Sequence, residues 1–321
     1  MENFRILCFG EALIDFFPAV TGVPLAEIDV FHRHLGGAPA NVAVGLARMG
    51  VPVGLMTLVG PDEFGKFVRR RLAAEGVDVR SVGTHATAKT GITFVSVAKS
   101  GDRSFLFFRH PSADQAIAPG DVNESDITRA HVLHVGSSTL SREPARAATW
   151  KAITAARAAG AIVSADPNLR FHLWEDRAQA IVETRKLVGL AHVVKVADDE
   201  LAPLVDTDDV VEGAHRLRAL GPTLVMVTQG ARGSYFDHAN GQGYVDPVPV
   251  TTVDATGAGD AFVAGAWSVM ARVLVTGRTL ADLDEHALRA TCGMGNLLGA
   301  QAVTALGATT AVRRPVDSQA D

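Results

Sequence analysis

Residues 256–260, Thr256-Gly257-Ala258-Gly259-Asp260, form a turn of small residues that ends on a carboxylate and runs straight into the apolar stretch Ala261 to Ala271. Small residues let a backbone come close to a ligand, and the unpaired N–H groups of a helix start can hold an anion. A carboxylate at the mouth of such a site competes with the anion it must tolerate. The combination makes sense if a hydroxyl has to be aimed at a phosphate held on the amides. The plainer alternative is a helix N-terminus with Asp260 as a capping or first-turn residue.

A second glycine cluster, Gly36-Gly37-Ala38-Pro39-Ala40-Asn41, lies near the N-terminus. Gly36-Gly37 ends an extended segment, Pro39 suits a first helical turn and Gly50 stops the helix. Val42, Leu46 and Met49 recur at helical spacing and read as a core face. Asn41 falls off that stripe, beside the glycines, where an amide can hydrogen-bond a polyol. A polar residue near a cap is the alternative.

The elements that must position these residues alternate along the chain. Short apolar runs at Ile6–Phe9, Val53–Val59, Val132–Val135, Ile162–Ala165, Val193–Val196 and Leu224–Val227 predict buried strands, with helices at Asp62–Ala74, Glu143–Ala159 and Val210–Leu220 among those between them. Such alternation implies βαβ units and a doubly wound α/β sheet, whose ligands bind beyond the carboxyl ends of the strands. Two stretches break the pattern. Leu13–Phe17 with Val30–Leu35, and Gly91–Val97 with Arg103–Arg109, read as paired short strands, with Ser100-Gly101-Asp102 as a hairpin turn.

Composition bounds the function. The 321 residues and 47% hydrophobic fraction can fill a sizeable core. A net charge of −5 without a basic block gives no nucleic-acid footprint. Two cysteines, Cys8 and Cys292, are too sparse for a disulfide framework; they read as core fillers and fit a reducing cytoplasm. The start lacks the basic-then-apolar pattern of a secretion signal, and Ala261–Ala271 is too short for a membrane span, so a cytoplasmic protein without membrane contact is expected.

Together, Gly36–Asn41 and Asp254-Ala255-Thr256-Gly257-Ala258-Gly259-Asp260 resemble the two signatures of the ribokinase-like (PfkB) carbohydrate kinases, with the fructokinase branch the most similar. Gly10-Glu11-Ala12-Leu13-Ile14-Asp15, residues 59–65, Arg109-His110-Pro111-Ser112-Ala113-Asp114 and Asp166-Pro167-Asn168-Leu169-Arg170 follow the family's order. The resemblance covers nearly the whole chain. It implies one ribokinase-like domain over 1–312, a mainly parallel sheet flanked by helices, with a small β-strand lid inserted from about 12–36 and 90–110. A polar tail, 313–321, would follow, and the lid would serve a homodimer.

The resemblance also implies roles. Asp260 would be the base that takes the acceptor hydroxyl's proton, and the amides of Gly257, Ala258 and Gly259 an anion hole. The helix start is expected to hold the Asp260 carboxyl low, tolerable where the acceptor oxygen loses its proton late. Asp15, Gly37, Asn41, Thr93 and Arg109 would meet the sugar. Asn168, Arg170, Thr228, Gly230, Gly233 and Asn296 would meet ATP, with Asn296 equally readable as a buried helix polar residue and Arg170 as a structural clamp. Arg109 at a strand end has an alternative too, as an edge charge that discourages aggregation. Glu200 would reach Mg2+ through water, although relatives carry Asn where this chain has Ala197. Asp254 and Thr256 would hold K+ with carbonyls from around 302–311.

The implied reaction is transfer of the γ-phosphate of ATP to a sugar hydroxyl, foremost fructose to fructose 6-phosphate. Rivals within the fold are 2-keto-3-deoxygluconate, whose carboxylate Arg109 would meet, and aminoimidazole riboside or another nucleoside. A non-catalytic sugar-binding regulator would not need to keep Asp260. A nicotinamide-dependent oxidoreductase would need Gly-x-Gly-x-x-Gly after the first strand, where the chain has Gly10-Glu11-Ala12.

Overall fold

Ile6–Phe9 is apolar at every position because both of its faces are covered, the mark of a strand inside a parallel sheet. The structure, a computed structural model, describes residues 4–20, 22–97, 103–109 and 112–313. In chain order the strands are β1 (Ile6–Phe9), β2 (Leu13–Pro18), β3 (Phe31–Gly36), β4 (Val53–Val59), β5 (Val82–Thr84), β6 (Ile92–Val97), β7 (Arg103–Phe108), β8 (Val132–Val135), β9 (Ile162–Ala165), β10 (Val193–Ala197), β11 (Leu224–Thr228), β12 (Ser234–His238) and β13 (Gly241–Val245). The helices are α1 (Ala38–Arg48), α2 (Glu63–Ala74), α3 (Glu124–Ile127), α4 (Ala145–Ala158), α5 (Arg177–Leu190), α6 (Leu201–Val205), α7 (Val210–Ala219), α8 (Ala258–Leu274) and α9 (Glu285–Ala302).

Nine strands make the main sheet, in the order β13-β12-β11-β10-β9-β8-β1-β4-β5. All neighbours from β11 to β5 pair in parallel, and β12 and β13 extend the sheet antiparallel. Alternation along β1 separates two cores. Ile6 and Cys8 join the core under α1, α2, α8 and α9; Leu7 and Phe9 join the core under α4, α5, α6 and α7. The chain is thus a doubly wound α/β fold. Both cysteines are free and buried, as expected of core fillers. Among the described residues no helix is long and apolar enough to cross a membrane.

The expected strand limits match at β1, β4, β8 and β9, while β10 and β11 run one residue further. Helix α2 starts at Glu63 because Asp62 caps it, accepting from the Gly65 amide at 2.9 Å. Helix α4 spans only Ala145–Ala158, with Pro144 at the cap position. The four remaining strands form a second sheet, β3-β2-β6-β7, from the two stretches that broke the alternation. The expected turn at Ser100-Gly101-Asp102 and the tail beyond Arg313 lie outside the described residues.

The main sheet grows from β1 towards β4 and β5, then turns back through β8 to β11. The switch therefore lies between β1 and β8, and their carboxyl ends open a crevice there. Gly136, Asp166, Asp198 and Thr228, at or just past the ends of β8, β9, β10 and β11, all line it.

Candidate active site

Helix α8 begins at Ala258 because Gly257 takes a left-handed conformation (φ 78°), and a Cβ there would strike Ala308. The turn leaves first-turn amides of α8 without intrahelical acceptors, facing a cleft of about 850 Å3. Asp260 is buried on that first turn. Its Oδ2 accepts from Asn41 Nδ2 at 2.8 Å, which joins the two glycine motifs in one place.

Burial pushes the Asp260 carboxyl up to about 7, against the hydrogen bond from Asn41; Asp166 raises it further and Lys195 opposes. The expectation of a lowered carboxyl is corrected here. Removal from water outweighs the favourable helix start, so the group suits proton transfer near neutral pH.

On the lid side, β2 and β6 run parallel with Asp15 opposite Thr93, and β3 places His34 opposite Asp15. Burial raises Asp15 to about 7, opposed by Arg109 and by a hydrogen bond from Thr93. Gly36 is required for space, since a Cβ there would lie 2.2 Å from Asp15 Oδ2. Gly37, at φ 101°, has no room either: a Cβ would lie 2.4 Å from the Glu11 carbonyl oxygen. Glu11 Oε1 accepts from the Ala38 amide at 3.2 Å and so caps α1.

Arg109 is not an exposed edge charge. It is buried, its Nη2 donates to Asp114, and Ser138 Oγ lies 3.4 Å from the same atom. Its guanidinium stays protonated because Asp114, Glu11 and Asp15 outweigh the opposing effect of burial. Its Nε lines up with no acceptor among the described residues. Across the mouth of the cleft the Phe107 and His172 rings stack at 4.9 Å, bridging the second sheet to the main body.

A neighbouring, more apolar cleft of about 530 Å3 shares Thr228, Gly230, Ala255, Ala258 and Gly259 with the first. Gly233, Pro249, Phe262 and Asn296 line it. Asn296 Nδ2 donates to the carbonyls of Val245 and Asp246, at 3.1 and 2.9 Å, so it is a buried helix polar residue held by the fold, and it lines this cleft. Asn168 sits in the first cleft at φ 45°, a strained setting that asparagine tolerates. Arg170 is exposed beside it, with no hydrogen bond or ion pair among the described residues.

Glu200 accepts from the Leu169 amide at 2.6 Å and the Ala197 amide at 2.7 Å, tying the loop after β9 to the end of β10. Asp254 is buried behind the α8 turn. Its Oδ1 accepts from the Thr256 amide and hydroxyl, and its Oδ2 from the Gly307 amide at 2.8 Å. Among the described residues no group of three or more His, Cys, Asp or Glu side chains forms a metal cluster.

Sequence reasoning missed Lys195. Its Nζ lies 3.1 and 3.3 Å from the two carboxylate oxygens of Asp166, buried at the floor of the first cleft. The signal was available: a lysine inside the apolar run of residues 193–197.

Comparison with known proteins agrees with this geometry. A family model described as pfkB family carbohydrate kinase matches residues 3–314. The Arabidopsis thaliana protein named "Probable fructokinase-7" is 40% identical over 310 residues, covering 96% of this chain and 89% of that protein. A Vibrio cholerae O395 fructokinase double mutant with fructose, ADP and potassium bound is 32% identical with a TM-score of 0.86, covering 97% of this chain and 96% of that one. A Xylella fastidiosa fructokinase with bound ATP is 34% identical with a TM-score of 0.84, covering 97% and 95%.

Proposed function

This chain belongs to the pfkB family of carbohydrate kinases and is an ATP-dependent sugar kinase, and we propose that it converts fructose to fructose 6-phosphate. The observation that carries the mechanism is Asp260, buried in the larger cleft next in sequence to Ala258 and Gly259, which line both clefts, and held by Asn41. Fructose occupies the larger cleft, with Asp15, Asn41, Thr93, Arg109 and the backbone at Gly37 around its hydroxyls. ATP enters from the smaller cleft, past Thr228, Gly230, Gly233 and Asn296, with Asn168 and Arg170 near its phosphates.

Asp260 takes the proton of the acceptor hydroxyl as that oxygen bonds to the γ-phosphorus. The bond from the γ-phosphorus to the bridging oxygen breaks and ADP leaves. The amides of Gly257, Ala258 and Gly259 receive the charge on the phosphoryl oxygens. Magnesium arriving with ATP would neutralise phosphate charge, and Glu200, which lines the cleft, would reach it through a water.

Asp254 and Thr256 are assigned to a potassium ion, together with carbonyls of the 302–311 loop. The Asp254–Gly307 hydrogen bond supports this, as does the potassium in the V. cholerae structure. Leu106 and Phe108, which alternate with the cleft-facing Phe107 on β7, are exposed apolar residues and favour a homodimer through the lid. Residues 1–312 are read as one catalytic domain in the cytoplasm.

Release of ADP, followed over fructose, ribose, nucleosides and 2-keto-3-deoxygluconate, tests the assignment. Fructose should give the highest specificity constant. A higher value for any other acceptor would replace it.

A further inference from the structure

Lys195 occupies the middle of β10, and its side chain is only 6% exposed. An ammonium in that place must shed most of its water, and Asp166 supplies the balancing charge. An apolar pair of similar volume would often hold a fold as well or better. Stability alone therefore does not account for the lysine.

An ammonium carries three N–H donors, and among the described residues the only hydrogen-bond partner of Lys195 is Asp166. At least one N–H is left over. The free side of the group faces Gly259: a Cβ built on that glycine would lie 2.7 Å from Nζ. Gly259 has an ordinary φ, so a side chain there would meet no backbone strain but would have to displace the ammonium. Gly259 is also a first-turn residue of α8, whose amide has no intrahelical acceptor. An unpaired ammonium N–H, the orphan amides of α8 and the Asp260 carboxylate thus face one volume of the cleft.

We infer that Lys195 is a catalytic residue: its ammonium hydrogen-bonds the phosphoryl group in transit from the sheet side, while Asp166 holds it in position. The inference rests on the kinase reading above. Lysine stays protonated throughout and forms no bond to phosphorus. Burial acts against the charge, but Asp166, Glu200 and Asp260 outweigh it and keep the group an ammonium. Its partner Asp166 follows from register. Val193 and Val194 pair with Ser164 and Ala165 in parallel, so the next step along the two strands sets Lys195 beside Asp166.

The test compares wild type with Lys195→Met, Asp166→Asn and the double variant, which keeps the buried pair neutral should the single methionine variant fail to fold. Turnover of Lys195→Met, or of the double variant, should fall roughly 100- to 1,000-fold, the usual loss for one donor to developing charge. The fructose KM should stay within about threefold, because fructose binds elsewhere in the cleft. Asp166→Asn keeps the ammonium and should lose less. The second readout is binding of ADP, magnesium and aluminium fluoride with fructose, a mimic of the phosphoryl group in flight. Wild type should melt higher with fluoride than with ADP and fructose alone, and both lysine variants should lose that increment. A folded double variant that keeps turnover within about tenfold of wild type, or keeps the fluoride increment, overturns the role of Lys195. Wild type that phosphorylates no sugar would instead overturn the kinase reading itself.

Discussion

Asn41 donates to Asp260 at 2.8 Å across 219 residues of sequence, and one helical turn further on Gly45 of α1 faces Ala264 of α8. A Cβ on Gly45 would lie 2.6 Å from the Ala264 Cβ. The two helices cross with almost nothing between them, and that close crossing brings the amide to the carboxylate. Gly45 sits apart from the site and still sets its geometry.

Gly45→Ala should therefore cost about 1–3 kcal/mol of stability by overpacking and reduce turnover as Asn41 withdraws from Asp260. Adding Ala264→Gly should reopen the space and recover most of both losses. Melting curves and steady-state kinetics on the three variants decide it. A double variant no better than Gly45→Ala would place the loss in helix propensity or elsewhere.

Asp260→Asn should lower turnover by roughly two to four orders of magnitude, the range for a lost acid–base group. Its stability effect has a definite sign. The carboxyl rises from 3.8 to about 7 on folding, so its contribution is full below about pH 4 and is lost as pH climbs through 7. Asp15 follows the same course. At pH 8 the Asp260→Asn protein should melt above wild type, and below pH 4 the difference should vanish. Wild-type kcat/KM should rise with pH along an acid limb near 7. A flat profile from pH 5 to 8 would remove Asp260 as the base.

Arg109→Lys separates fructose from an acidic sugar. The guanidinium is matched by Asp114 inside the protein and has little charge to spare for a substrate carboxylate. Lysine cannot reproduce the fork, so the melting temperature should drop and the fructose specificity constant fall modestly, about tenfold or less. Activity on 2-keto-3-deoxygluconate should start lower and change in proportion. A wild-type preference for that acid, lost selectively in Arg109→Lys, would reassign the substrate.

Potassium in place of sodium, at fixed ionic strength and saturating magnesium, should raise the rate severalfold. Asp254→Asn should abolish the difference while also lowering stability, because Asp254 ties Thr256 to Gly307. Equal wild-type rates in potassium, sodium and a bulky organic cation would remove the cation assignment.

The strands at 6–9, 53–59, 132–135 and 162–165 were legible to the residue because parallel strands are covered on both faces and read as nearly continuous apolar runs, interrupted only by Thr57, His134 and Ser164. The two glycine turns were legible because positive φ and close approach leave glycine as the only choice at Gly37 and Gly257. What escaped was set by pairing between distant segments. Lys195 meets Asp166 only through the register of β9 and β10, and Asp260 is raised by burial, with Asp166 and Glu11 adding to it, all of which arise only in the folded chain. Arg109 was visible as a charge at a strand end, but its ion pair with Asp114 is a tertiary contact that strand patterning does not reveal.

Strand β1 is flanked by β4 on one side and β8 on the other. At 5–20 residues per second the ribosome needs on the order of 10 s to make the roughly 120 residues between the end of β1 and β8. Throughout that interval a nascent chain that has already paired β1 with β4 presents a bare apolar strand edge, a template for misassociation. Synthesis of this protein should therefore lean on a holdase at the tunnel exit, and synonymous codons that slow the stretch before Val132 should lower its soluble yield without changing a single residue.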